Sequence, residues 1–549
     1  MNMNLITEKG MKNIKSLFIG ALVVTISAMT LVSCNDWLTL GPIDYYGSES
    51  YWKTEANFDS YIDGMHKNMR DQAWTHTIIA GEIRGGTHID GTSSDGSSVD
   101  YADMIMQNFD ADHTGLSNFG GYYGPITNVN LFIARLKETD VVPDEKKALY
   151  LGMAYGLRAF YYFDLYRLYG GVPMRLTADV VEGELDPLKL YMARSNASVV
   201  IGQIKSDIEE SLNCFGSANT IPYGKDYWSK AATEALAGEV YLWTAKVATG
   251  DQPAGGASDI AKAKTYFTNV MNNYGLSPQS NFASIFSVSN KLNSEVIFAI
   301  HYGEGEATNS LGNYTYMSDG RGLTMEQIDE NGQRFGDPFG LNTQGIQRAQ
   351  YIDNMFLAYD VEDTRRDATF KASYSANEYN ASGNIVLYGT HVCKNIGYTN
   401  SAGIHQFIGD FIYYRLAWVY LSLAEIANYE GNGADVEKYI NKVRERAYGA
   451  NWDAATYGYT AGSFTANELA ILAEKDKEML QEGQRWHDLR RMTLTKDGKH
   501  LVFCPEANPK NNGLPILDET KEAYKVLWPI DKTVMNSDKE LTQTPGYPG

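Results

Sequence analysis

The stretch Leu157-Arg158-Ala159-Phe160-Tyr161-Tyr162-Phe163-Asp164-Leu165-Tyr166-Arg167-Leu168-Tyr169-Gly170-Gly171-Val172-Pro173 decides how the chain is read. Leu157, Phe160, Tyr161, Leu165 and Leu168 fall on one helix face, and the Gly-Gly-Val-Pro behind them stops the helix. The same period recurs in Ala232, Ala235, Leu236, Val240 and Trp243, where small residues allow close helix approach. It recurs again in Leu416, Val419, Tyr420, Leu423 and Ala427, and in Val436, Tyr439, Ile440 and Val443. Only Glu430-Gly431-Asn432-Gly433 separates the last two stripes, which forces an antiparallel helical hairpin. Helical pairs of this size point to a mainly α chain stacked in tetratricopeptide-like fashion.

The amino terminus has a different character. Lys9, Lys12 and Lys15 precede an uncharged apolar run from Leu17 to Leu31, the layout of a secretory signal and too short to span a bilayer comfortably. Leu31-Val32-Ser33-Cys34 follows, and it resembles the lipobox of bacterial lipoproteins. Residues 1–33 read as a signal peptide, with cleavage leaving Cys34 to carry a diacylglyceryl group and a further acyl chain, enough for stable anchoring. Removing that segment takes away three lysines and one glutamate, so the formal charge moves from −20 to −22. Such a surface repels a polyanion and excludes nucleic acid as a partner. Cys214, Cys393 and Cys504 are widely spaced and odd in number, so the mature chain is not a disulfide scaffold. No metal or phosphate motif occurs, and no cofactor is expected. Asp90-Gly91-Thr92-Ser93-Ser94-Asp95-Gly96 carries oxygen ligands but misses the calcium-loop pattern, and reads as an Asx-type turn.

Several segments taken together resemble the SusD/RagB family of outer-membrane nutrient-binding lipoproteins. They are the 157–173 stretch, Tyr414-Arg415-Leu416-Ala417 with Ala424-Glu425, Ile440 to Ala447, Glu482-Gly483-Gln484-Arg485-Trp486-His487-Asp488-Leu489-Arg490-Arg491, Trp528-Pro529-Ile530 and the terminal Gln543-Thr544-Pro545-Gly546-Tyr547. Cys34-Asn35-Asp36-Trp37-Leu38 and Ser50-Tyr51-Trp52-Lys53-Thr54 resemble the family's opening. The resemblance implies one SusD-like domain over residues 34–549, its parts 34–300 and 301–549 packed together on four tetratricopeptide-like helix pairs. It also implies a lid over a SusC-like TonB-dependent transporter, to which oligosaccharides are handed; a RagB-like branch takes peptides. No catalytic machinery is implied.

Arg158, Arg415, Arg444, Arg485 and Arg490 lie among apolar helical positions, where pairing with carboxylates such as Asp164, Glu425 or Glu482 is the expected role. His487 beside Asp488 has no accompanying nucleophile, and reads as a satisfied structural histidine. A surface hydrolase is the remaining alternative, since acidic residues abound, but so many carboxylates single out no catalytic pair.

Ligand contacts are expected in two stretches without period, residues 81–125 and 301–345, rich in Gly, Asp and Tyr. Their scattered aromatics, Tyr101, Phe109, Tyr122, Tyr123, Tyr314, Tyr316, Phe335 and Phe339, argue against plain disorder. A sugar offers C–H faces and hydroxyl edges, so its site needs an aromatic platform with amide, carboxylate or guanidinium groups beside it. Trp74, Arg84, Asp90, Asp95 and Tyr101 supply those types in and beside the first stretch; Asn313, Tyr314, Tyr316, Asp319 and Arg321 supply them in the second. Each aromatic could equally anchor its own loop.

Overall fold

The structure is a computed structural model, and it describes residues 50–90, 101–115, 119–182, 186–315, 327–341 and 349–548. Its contacts divide the chain into two units, residues 1–57 and 58–549. Among the described residues eight helices reach fifteen residues, the number four pairs require. They are α1 (Tyr123–Glu138), α2 (Asp144–Tyr169), α3 (Ala197–Phe215), α4 (Lys230–Lys246), α5 (Gly256–Asn273), α6 (Leu416–Glu430), α7 (Gly433–Tyr448) and α8 (Phe464–Glu478). Each packs on the next from α1 to α7, and α8 lies against α6. The fold is mainly α, as the periodicity indicates.

The deciding stretch is the C-terminal half of α2. That helix starts after Pro143 with Asp144 and Glu145 in its first turn, where carboxylates complement the helix dipole. From Tyr150 onward nearly every side chain is buried, so the helix is covered on all sides. The α6–α7 turn is equally direct: Gly431 adopts a left-handed φ of 75°, and Asn432 caps α7 by accepting from the Asp435 amide at 3.2 Å. Only Gly fits that left-handed position without strain.

Short antiparallel strands join the helical blocks: β1 (His88–Asp90), β2 (Val296–Ile300), β3 (Gln327–Ile328), β4 (Ala349–Tyr351), β5 (Phe370–Tyr379), β6 (Ile385–Val392), β7 (Tyr398–Thr399), β8 (His405–Gln406) and β9 (Phe411–Arg415). β1 pairs with β4, β2 with β9, β7 with β8, and β5 lies between β3 and β6.

The core holds a closed ionic network. Five cations (Arg365, Lys394, Arg415, Arg444 and Arg446) meet five carboxylates (Glu295, Asp363, Glu474, Glu478 and Glu482). Arg415 is the hub, donating to Glu478 at 2.6 Å, Glu482 at 2.7 Å and Glu295 at 3.1 Å. Burial pushes the Glu478 carboxyl upward, but the Arg446, Arg415 and Arg365 charges hold it well below the usual carboxylate range.

Arg158 pairs with Asp207, Arg444 with Glu474 and Arg485 with Asp476, so the sequence reading of these arginines as structural holds. Two expectations need correction. Arg490 has no carboxylate partner among the described residues, since its one hydrogen bond is Nη1 to the Arg167 carbonyl at 2.6 Å. His487 is buried, but neither ring nitrogen has a partner among the described residues; burial and then the Arg167 and Arg490 charges drive its pKa far down, so it is neutral.

Candidate ligand face

The helix Arg70–Trp74 runs without a break into wider, π-helical turns over Thr75–Ala80. Wide turns of this kind recur at functional sites because they re-aim side chains that a regular helix would hold in line. Trp74, half-buried at the junction, donates its indole N–H to the Tyr101 hydroxyl at 3.0 Å, with ring centroids 6.3 Å apart and planes at 35°. Tyr101 opens the short helix Ala102–Ile105, which packs against β1. The result is a tilted two-ring surface built from residues 27 apart.

β1 carries this first region onto the second. Ile89 faces Gln350 of β4 and is itself exposed, while the short helix Ser310–Thr315 packs on β4 and β6. Asp90 lies in β1, and Asn313 and Tyr314 lie in that helix, so the ladder joins both expected binding regions. Asp95, Tyr316, Asp319 and Arg321 lie outside the described residues, as does Cys34.

Arg84 must be taken out of the candidate set. It is wholly buried, its guanidinium 4.0 Å from the Trp486 ring, 4.4 Å from Phe109 and 4.7 Å from Trp528, and it donates to Gln107 at 2.8 Å. Burial pushes its pKa down to about 9, and the aromatic faces supply part of the compensation a carboxylate would give. Phe109, Tyr122 and Phe335 are likewise buried, so they anchor their loops. Residues 123–125 belong to α1, because Tyr123 packs against Phe119 and donates its hydroxyl to the Pro173 carbonyl at 3.0 Å.

Phe339 is exposed and lines a cavity of about 300 Å³ with Glu330, Phe356, Arg366, Lys371 and Tyr374. Rings and charges of both signs around one hollow suit a ligand with C–H faces and hydroxyl edges. Lys371 and Tyr374 escaped the sequence reading; the alternation of Phe370, Ala372 and Tyr374 along β5 marks the strand that carries them, not the hollow they line.

Contacts from far along the chain hold the first region in place. The Gly81 carbonyl accepts from the Trp486 amide at 2.6 Å, the Gly85 carbonyl from Arg485 Nε at 2.8 Å, and Glu82 from the Gly483 amide at 2.9 Å. A Cβ on Gly81 would sit 2.3 Å from the Gly483 carbonyl oxygen, so the crossing admits no side chain. Glu82 also accepts from the Tyr351 hydroxyl of β4, and burial pushes its carboxyl up to about 7. A carboxyl whose folded pKa is raised contributes stability below its unfolded value, near 4.5, and loses it as pH rises through the folded value. Wild-type stability should therefore fall between about pH 4.5 and 7, a slope that Glu82→Gln flattens; pH-dependent urea melts of the two proteins check this.

Among the described residues no group of three or more His, Cys, Asp or Glu side chains could hold a metal, and no helix is long and apolar enough to cross a membrane.

A SusD family model matches residues 261–547, and a second model, described as starch-binding associating with outer membrane, matches residues 44–242. A SusD superfamily protein from Bacteroides fragilis NCTC 9343 is 54% identical, with a TM-score of 0.85 over 91% of this chain and 100% of that one. The chain belongs to the SusD family. B. fragilis NanU is 32% identical with a TM-score of 0.76, over 93% of this chain and 100% of its own. SusD-like protein P38 of Formosa agariphila is 25% identical over 513 residues, 88% of this chain and 92% of that relative. Two of the segments that carry the SusD resemblance are buried here: 157–169 forms the buried half of α2, and 482–491 supplies the Trp486 amide that holds the Gly81 carbonyl.

Proposed function

We propose that this SusD-family protein binds glycan at the bacterial surface and passes oligosaccharide to a SusC-like TonB-dependent transporter without turning it over. Its signal peptide would be removed before Cys34, and the lipidated cysteine would anchor it in the outer membrane facing outward. The observation that carries the reading is the Trp74–Tyr101 pair, two half-buried rings beside the helix that packs on β1. An aromatic platform with amide and carboxylate neighbours is what a sugar requires. The description of the model matched over 44–242, starch-binding and associated with the outer membrane, supports both the ligand class and the location.

Calorimetry against a panel of purified oligosaccharides and a panel of peptides tests the ligand class, and binding confined to peptides overturns it. Stacking on one aromatic is worth on the order of 1 kcal/mol, so Trp74→Ala should weaken glycan affinity at least several-fold while leaving the melting transition in place. Shorter products released from a bound polysaccharide would contradict binding without turnover. For the anchor, Cys34→Ala should no longer fractionate with the outer membrane; unchanged fractionation sinks that part of the reading.

A further inference from the structure

Nine arginines are buried among the described residues, and seven of them (Arg158, Arg167, Arg365, Arg415, Arg446, Arg485 and Arg491) lie against carboxylates. Of the other two, Arg84 is enclosed by three rings. Arg490, only 3% exposed, has the Trp243 ring at 4.9 Å and the Arg167 carbonyl on Nη1, and no acceptor for Nε or Nη2 among the described residues. Its neighbouring charges, Arg84 and Arg167, are of its own sign. A buried cation left in that state is costly, and the cost is relieved by an anion.

The space for one is present. Arg490 lines a cavity of about 260 Å³ whose other walls are largely apolar, with Val247, Val502, Phe503 and Leu527 among them. His500 also lines it, and its buried Nδ1 has no partner among the described residues. A second cavity, of about 280 Å³, adjoins the first across Thr249, Gly250 and Leu527. It holds another guanidinium without a carboxylate, Arg194, whose bonds go to the Gly171 and Tyr169 carbonyls and whose Nη1 is buried and unpartnered. Asp251 is the one carboxylate lining the pair, and it is engaged by Ser198.

We propose that this double cavity is a second binding site, separate from the Trp74 face, for a small organic carboxylate of about the size of a sugar acid. The planar guanidinium of Arg490 suits a carboxylate. The apolar walls call for a ligand with a carbon body, since a bare inorganic anion leaves them empty. The neutral His500 ring offers a further hydrogen bond.

Calorimetry on the full-length protein tests the proposal with D-glucuronate and cyclohexanecarboxylate against the neutral probes D-glucose and cyclohexanecarboxamide. The carboxylates should bind saturably and at least tenfold tighter than the neutral probes. Arg490→Gln and the cavity-filling Leu527→Trp should each weaken carboxylate binding at least tenfold, and Trp74→Ala should leave it unchanged. Two variants guard against misfolding of one. Equal binding of neutral and charged probes, wild-type carboxylate affinity in both cavity variants, or loss of it in Trp74→Ala alone would each overturn the site.

Discussion

Arg415→Ala should lower unfolding stability by about 4 kcal/mol at neutral pH, because truncating one partner of a buried ionic network leaves its charges uncompensated. Glu295, Glu478 and Glu482 all accept from this guanidinium, and all are buried. In the variant five carboxylates face four cations. The sign with pH separates this mechanism from a simple cavity. In the wild type the depressed Glu478 carboxyl contributes stability above its unfolded pKa, which is lost as pH falls. In the variant a carboxyl released from Arg415 rises in pKa and takes a proton readily, so the difference between the two proteins should be largest near pH 7 and shrink toward pH 4. Guanidinium unfolding at several pH values measures it; a difference that does not change with pH rules the ionic explanation out.

Tyr420→Ala should cost roughly 3 kcal/mol through the cavity it leaves. Tyr420 lies on α6, its ring stacked on Tyr439 of α7 at 6.2 Å and 19°, with the Lys442 ammonium 5.6 Å from its centre. It is 7% exposed, so nearly the whole ring is lost from packing between the two helices. Tyr420 packs within the α6–α7 hairpin, whereas Trp74 stands where the helix Arg70–Trp74 meets the π-helical turns, so glycan affinity of the folded protein should stay at the wild-type value. Trp74→Ala should do the opposite. Thermal melts and calorimetry on both variants decide the matter: if Tyr420→Ala binds poorly while Trp74→Ala melts early and binds normally, the division into scaffold and recognition face is wrong.

The helical scaffold was legible because its signal is local. Leu157 to Leu168 repeat at helical spacing whatever lies around them, and Gly431-Asn432 mark a turn by their own backbone preferences. The candidate ligand face was legible only in part. Trp74 and Arg84 look equally suitable in the sequence, yet one is half-buried beside Tyr101 and the other is enclosed by Trp486 and Trp528, some 400 residues away. No local period reports a contact of that span. Arg490 escaped for the same reason: it sits in a helical segment with acidic neighbours in sequence, and only the fold shows that Asp488 is taken by Lys475 and Arg491.

The Gly81–Gly483 crossing bears on when the molecule can become itself. A chain made from its amino terminus brings out residues 70–90 early, but the amides of Gly483 and Trp486 that fasten Glu82 and Gly81 are among the last parts to arrive. Until then Glu82 lacks the Gly483 amide and has only the earlier-made Tyr351 hydroxyl to satisfy it, so burying it would leave part of its carboxylate unpaired. The helical stack from α1 to α5 is formed of neighbours in sequence and can assemble as it emerges, whereas the Trp74 segment gains its fastenings only with the far end of the chain. The proposed ligand face is therefore the last part to be fastened, and a chain cut short before residue 483 would keep helices and lose the contacts that hold residues 81–85.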